Sequence, residues 1–284
     1  ENGRNGIHAF EKLDASLASR KGEMKWATRI TSALDEDRFA LFRQAIVPVR
    51  NCDDAGHHYE VLVRMQEPGG KLVAPGLFIP SAERFKLMPA LDRWVISHTL
   101  EQLAHDNGLM ASTGMCAINL SGITLVDPGL PDFILQQITK WHIDPQMLCF
   151  EITETAVISD LASTRRLMDI LQYHGCRFSL DDFGSGLSSF SYLKELPVDY
   201  LKIDGAFVRK VCEDPVDLAM VSSINHVGHV MGIKTIAEFV ENMDIFNKLA
   251  MIGVDYAQGY GIQMPLPLDS PFGSDGGELC ESTG

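Results

Sequence analysis

The chain has no run of about 18 consecutive apolar residues, so no segment is built to span a bilayer as a helix. It has no basic excess either. Lys and Arg number 24 against 38 Asp and Glu, a formal net charge of −14. Proteins that grip DNA or RNA duplexes through phosphate contacts need the opposite balance, so duplex binding is not expected. Cysteine is sparse: six residues, at 52, 116, 149, 176, 212 and 280, with no CxxC spacing. That gives structural zinc no support and reads as reduced thiols in a cytoplasmic protein. No secretory leader or internal repeat is visible. The first residue is Glu1 rather than Met, which reads as a piece of a longer protein. No membrane contact is expected of this fragment, and an inner-membrane anchor would belong to the parent chain.

What is present is alternation. Apolar runs of strand length recur at 42–50, 58–65, 115–120, 147–152, 176–181, 199–204, 234–238 and 255–259, with helical periodicity between most of them. Leu167, Ile170, Leu171 and His174 follow i, i+3, i+4, i+7 and stop at Gly175. Met220, Ile224, Val227 and Met231 form a second stripe, with Asp214 and Pro215 as cap and first residue. Eight strands with intervening helices in 284 residues predict an α/β protein of the TIM-type (β/α)8 barrel class. The link through Asn51–Gly56 is too short for a helical crossover, so the first strand is expected to run antiparallel to the second. Residues 1–35 read as the end of a preceding domain plus a linker helix, 36–268 as the barrel, and 269–284 as a disordered tail rich in Gly, Ser and acid.

Nearly every candidate strand carries a side chain able to hold a divalent cation: Glu60, Asn119, Glu151, Asp181, Asp182, Asp204 and Glu238, with Gln258 on the last. A carboxylate at one strand end has an ordinary explanation as a helix cap. Recurrence at about 20–35-residue intervals, one βα unit each, gathers them at the C-terminal mouth of a barrel instead. So many acids in one place would raise each other's pKa unless cations lay among them. Glu60, Leu62 and Arg64 alternate and share a strand face, which lets Arg64 reach a phosphate while Glu60 reaches metal. Asp181 and Asp182 can both face one site only where the strand breaks, a role assigned to Gly184 and Gly186. Lys202 shares a face with Asp204 and would stay protonated among carboxylates. Asp204 reads equally as an orienting group behind the ligands or a structural acid.

These residues resemble an ordered set of motifs. Glu60-Val61-Leu62-Val63-Arg64 is similar to the ExLxR signature of the EAL domain. FIPSAE (78–83), LDRWV (91–95), NLS (119–121), EITE (151–154), DDFGSG (181–186), LKID (201–204), IAEFVE (236–241) and QGY (258–260) follow in the family's order. Residues Gly3–Phe10 resemble the end of a GGDEF domain, which implies a GGDEF–EAL parent with upstream sensory domains. The resemblance implies hydrolysis of cyclic di-GMP to linear pGpG by a water activated by two divalent cations, Mg²⁺ or Mn²⁺, with Ca²⁺ inhibitory. It implies a homodimer. It casts Glu60, Asn119, Glu151, Asp181, Asp182 and Glu238 as metal ligands and Lys202 as the catalytic lysine. Gln258 stands near the attacking water and, with Leu62 and Arg64, on the substrate side. Glu154 steadies the loop after Asp182. Three positions depart from the pattern: Val61 for alanine, Leu187 where tyrosine is frequent, and Phe239 where glycine often stands. The alternative is a catalytically silent domain that binds cyclic di-GMP as a sensor.

Overall fold

A computed structural model describes residues 23–50, 56–184 and 190–272. Ten strands form one sheet: β1 (Phe39–Pro48), β2 (His57–Gln66), β3 (Leu72–Val73), β4 (Thr113–Leu120), β5 (Leu148–Thr153), β6 (Arg177–Phe183), β7 (Tyr200–Ile203), β8 (Lys234–Ala237), β9 (Tyr256–Ala257) and β10 (Leu266–Pro267). The order is β10-β1-β9-β8-β7-β6-β5-β4-β2-β3, and an additional β1–β2 pairing closes eight of them into a barrel. Each step from β2 through β4 to β9 is parallel, whereas β1 pairs antiparallel with β9. All eight expected strands are present within a few residues of their predicted bounds, and the inverted first strand follows from its short link. The two-residue β3 and β10 were not expected, because two residues carry no readable period.

Two compact units divide the described chain. One contains Val63–Leu91 and the described residues up to Ala40; the other contains Leu41–Leu62 and everything from Asp92 onward. In the first, a helix over residues 23–35 buries Ile30 and Ala33. Arg29 pairs with Glu67; Gln66 N donates to Arg38 O at 2.8 Å, and the Arg38 guanidinium donates back to Gln66 O at 2.7 Å. The predicted segment Gly3–Phe10, the loop residues Ser185–Leu187, Cys52, Cys280 and the tail beyond Phe272 lie outside the described residues.

In the second unit the barrel helices obey their sequence signals. Helix Pro215–Val230 starts at Asp214, whose carboxylate accepts from Val216 N at 2.8 Å. Helix Leu161–Tyr173 is capped by Asp160 and is followed by Gly175 in the left-handed region, φ 101°. Inside the barrel the strand period of two builds layers. Ile46, Met115, Ala117, Cys149, Tyr200, Ile236 and Tyr256 make a buried apolar layer. Two residues further along the parallel strands, the same faces carry Asn119, Glu151, Lys202, Glu238 and Gln258. On the inverted β1 the step runs backwards, from Ile46 to Gln44. A dry floor therefore lies directly beneath a polar layer at the strands' C-terminal ends.

Candidate active site

The polar layer is organised around one buried ammonium group. Lys202 is fully buried, and its Nζ lies 2.8 Å from Glu151 Oε2, 2.9 Å from Glu238 Oε1, 3.3 Å from Asp181 Oδ1 and 3.4 Å from Glu60 Oε2. Four carboxylates from four strands thus surround one cation, a local charge of −3 if all are ionised. Burial works against the charge on Lys202, but the ring of acids wins and raises its pKa well above the ordinary lysine value. Such a lysine is protonated throughout the neutral range.

The acids respond unequally. Burial would raise Glu60, yet Lys202 and hydrogen bonds from Gln258 and Asn119 outweigh it and hold its pKa below the usual value. Those bonds are short: Asn119 Nδ2 donates to Glu60 Oε1 at 2.6 Å and Gln258 Nε2 to Oε2 at 2.6 Å. Glu151 has no such support beyond Lys202, and burial, with Glu60 and Asp181 nearby, drives its pKa well above normal. Burial likewise pushes Glu238 up to about 8, against Lys202 and aided by Asp181 and Glu60. Asp182 rises to about 6 through partial desolvation, then the charges of Asp181 and Asp204. The raised carboxylates mark an excess of negative charge in this layer, which bound protons or cations would offset.

Two observations bear on whether cations fit. Asp181, Asp182 and Glu238 each offer an oxygen within 4.8 Å of the others. Glu151 Oε1 is buried without a hydrogen-bond partner, as is Gln258 Oε1. Leaving a buried carboxylate oxygen unpaired costs about 1–3 kcal/mol or more, and a hard divalent cation is the partner such oxygens suit. The donor set fits.

Asp181 and Asp182 reach one site for a reason that differs in detail from the expectation. The β6–β7 register slips between Leu180 and Phe183, a bulge that inserts one residue opposite Lys202. Asp182 sits in the left-handed region at φ 54°, so the strand already breaks at the aspartates; Gly184 continues the break, and Gly186 lies outside the described residues. Asp182 N donates to Asp181 Oδ1 at 2.9 Å, which steadies the bulge. Gly184, φ 101°, follows; a Cβ there would meet Phe207 Cε2 at 2.8 Å. Glu154, buried at the start of the helix after β5, accepts from Gly184 N at 3.1 Å and from the Tyr192 hydroxyl at 2.7 Å. It joins the two flanks of residues 185–189.

Asp204 caps the short helix Gly205–Val208 by accepting from Ala206 N at 2.7 Å, and its charge helps raise Asp182. Leu62 is half-buried on β2. Arg64 belongs to the first compact unit, where its Nη1 donates to Val63 O at 3.0 Å. Phe239 takes the left-handed conformation at φ 52°, about 1–2 kcal/mol unfavourable for a residue with a Cβ, which explains why glycine suits this position. Its ring lies against Gly205.

Sequence reasoning missed two supporting groups. Gln44 Oε1 accepts from Gln258 Nε2 at 3.2 Å, while Gln44 Nε2 donates to Gln263 O at 3.0 Å. Its signal was a buried amide two residues before Ile46 on a strand known to be inverted. Asp92 accepts from Ser121 N, Ser121 Oγ and Thr124 Oγ1 at 2.6–3.0 Å, which fixes the turn directly after Asn119.

The model of the EAL domain matches residues 27–265 of this chain. The chain belongs to the EAL domain family. It is 43% identical over 270 residues to cyclic di-GMP phosphodiesterase PdeB of Shewanella oneidensis, covering 94% of this chain and 31% of that one. It is 35% identical over 248 residues to cyclic di-GMP phosphodiesterase PdeF of Escherichia coli, covering 87% and 32%. This EAL chain therefore spans about a third of the length of these relatives. Among solved structures, the FimX EAL domain of Pseudomonas aeruginosa bound to c-di-GMP superposes with TM-score 0.79 at 28% identity, over 86% of this chain and 98% of that one. The PaMucR phosphodiesterase in complex with c-di-GMP gives TM-score 0.78 at 29% identity, over 86% and 98%. Among the described residues of this EAL domain, no helix is long and apolar enough to cross a membrane.

Proposed function

We propose that this EAL domain hydrolyses cyclic di-GMP to linear pGpG with the help of divalent cations, Mg²⁺ or Mn²⁺. The observation that carries the reading is the buried Lys202 ammonium ringed by Glu60, Glu151, Asp181 and Glu238, with Glu151 Oε1 left without a partner. Glu60, Asn119, Glu151, Asp181, Asp182 and Glu238 would hold two cations, which supply an acidified water and neutralise charge on the phosphoryl oxygens. Lys202 stays protonated, orients the attacking water and stabilises the negative charge that builds on phosphorus. Gln258 holds Glu60 through its amide nitrogen and offers its unpaired Oε1 to water or substrate. Asp204 stands behind Asp182. Arg64 contacts a phosphate oxygen and Leu62 lines the substrate side. Water adds to one phosphorus, the bond to the ribose 3′-oxygen breaks, and the 5′-phosphate ester remains, giving pGpG.

In the same reading Ca²⁺ occupies the site without supporting turnover, the domain is a homodimer whose loop after Asp182 is steadied by Glu154, and the barrel occupies 36–268. The segment 1–35 connects it to a GGDEF domain and sensory domains of a parent chain working on cytoplasmic cyclic di-GMP. The relatives' names and the two complexes with c-di-GMP support the substrate.

The test is direct. The purified domain with Mn²⁺ or Mg²⁺ is expected to convert cyclic di-GMP to pGpG, and Ca²⁺ or Glu60→Gln to prevent it. Binding without pGpG under every metal would reject hydrolysis in favour of a silent sensor.

A further inference from the structure

We propose that Phe239, with the Arg209 guanidinium against it, forms a stacking wall for one purine base of the substrate. The inference rests on the cyclic dinucleotide reading above. Phe239 directly follows Glu238, whose carboxylate contacts Lys202 at 2.9 Å, and it stands at the barrel end that carries the acids. Its position is pinned on both sides. Val240 N donates to Gln258 O at 3.0 Å and Val240 O accepts from Gly261 N at 2.8 Å, so the chain after the ring is tied to the loop after Gln258. The left-handed φ of 52° at Phe239 then dictates the direction in which the side chain leaves.

That direction is toward the end of the neighbouring β7. A Cβ at Gly205 would lie 2.1 Å from Phe239 Cδ2, so position 205 must lack a side chain for the ring to rest there. One helical turn on, the Arg209 guanidinium carbon sits 4.3 Å from the ring centroid, and its Nε is held 3.3 Å from Glu241. The ring is nonetheless 48% exposed. Hydrophobic burial does not account for a phenyl ring half in water, and backbone preference opposes it at a left-handed position. Unfavourable backbone retained beside a reactive site points to a role in that site. A half-exposed phenyl ring with a guanidinium stacked over it makes a planar, cationic surface of the kind a nucleobase stacks on, and the positive charge suits a ligand with an anionic sugar–phosphate core.

The test compares wild type with Phe239→Gly, which accepts the left-handed backbone freely, and Phe239→Trp, which keeps a stacking face. Specificity is read as the ratio of kcat/KM for cyclic di-GMP to that for bis(p-nitrophenyl) phosphate, which has no nucleobase, both with Mn²⁺. Binding of cyclic di-GMP is read by calorimetry with Ca²⁺. For Phe239→Gly the ratio is expected to fall, and the Kd to rise, roughly 5- to 100-fold, while Phe239→Trp stays within about threefold of wild type. A ratio and Kd unchanged in Phe239→Gly, or equal losses on both phosphodiesters with Kd unchanged, overturns the wall. A wild type that binds cyclic di-GMP without cutting it rejects the hydrolytic function, and the Kd comparison still decides the wall. A wild type that does not bind it overturns both.

Discussion

Replacing Lys202 by methionine keeps the length of the side chain and removes its charge. Four carboxylates at 2.8–3.4 Å would then face a neutral side chain in a buried layer. Breaking a buried ion cluster by removing one partner costs about 3–5 kcal/mol. For a domain of this size each kcal/mol moves Tm by about 2–4 °C, so the metal-free variant is expected to melt roughly 6–20 °C below wild type. The loss depends on pH. Glu238, raised to about 8, and Glu151, raised well above its ordinary value, hold protons in the folded protein that the unfolded chain has released. Stability falls with rising pH wherever the native state binds more protons, here from the unfolded carboxylate range up through about 8. Lys202 itself, with its folded pKa raised, contributes stability that is complete below the unfolded lysine pKa and so does not limit this window. The Tm gap between variant and wild type is therefore expected to be widest at pH 8.5, to narrow at pH 6, and to shrink when Mn²⁺ restores positive charge. Turnover is expected to fall about 10²–10³-fold or more even when Mn²⁺ restores the fold. Calorimetry of metal-free protein at the two pH values and a pGpG assay with Mn²⁺ measure both effects. A variant within about 2 °C of wild type at pH 8.5 would mean that these contacts carry no stability, and the electrostatic argument would fail with them.

Two further outcomes follow from the same layer. Asp182 at about 6 and Glu238 at about 8 must lose protons before they can ligate, so Mn²⁺ affinity is expected to weaken as pH falls from 8.5 to 6, with proton release visible by calorimetry in buffers of different ionisation enthalpy; an affinity independent of pH would contradict the assigned cluster. Glu154→Ala leaves Gly184 N–H and the Tyr192 hydroxyl without their shared acceptor, at about 1–3 kcal/mol, and is expected to weaken Mn²⁺ binding through the Asp181–Asp182 bulge, with Glu154→Gln less affected; equal Mn²⁺ affinity in all three proteins would dissociate the clamp from the site.

Much of the candidate site was legible because a strand has a period of two. Once 147–152 and 199–204 read as strands, Glu151 had to share a face with Cys149, and Lys202 with Tyr200, whatever the rest of the chain did. The short Asn51–Gly56 link forced the inverted first strand, and with it the backward step that places Gln44 in the polar layer. That consequence was available and went unread, because one buried glutamine among apolar residues looks like any core amide. Asp181–Asp182 was legible as a pair but not as a bulge. A register slip is a relation between two strands, and only the neighbouring β7 reveals it.

The left-handed residues show the same boundary. Gly175 and Gly232 announced their conformations by residue type; Asp182 belongs to a type that adopts it only occasionally, and Phe239 adopts it against type. The Phe239 ring occupies the space that Gly205, a residue 34 positions earlier, leaves open.

By itself, the order of residues determined the fold class, the eight barrel strands, the direction of the first strand and the inventory of acids at the strand ends. These follow from local periodicity and link length, properties of neighbouring residues. The tertiary structure alone decided that Lys202 sits among four of those acids, that Glu60 is held low while Glu151 and Glu238 are pushed high, and that one oxygen of Glu151 lacks a partner. Charge–charge energies and desolvation depend on distances of a few ångströms between residues up to 198 positions apart, and closure of the barrel sets those distances.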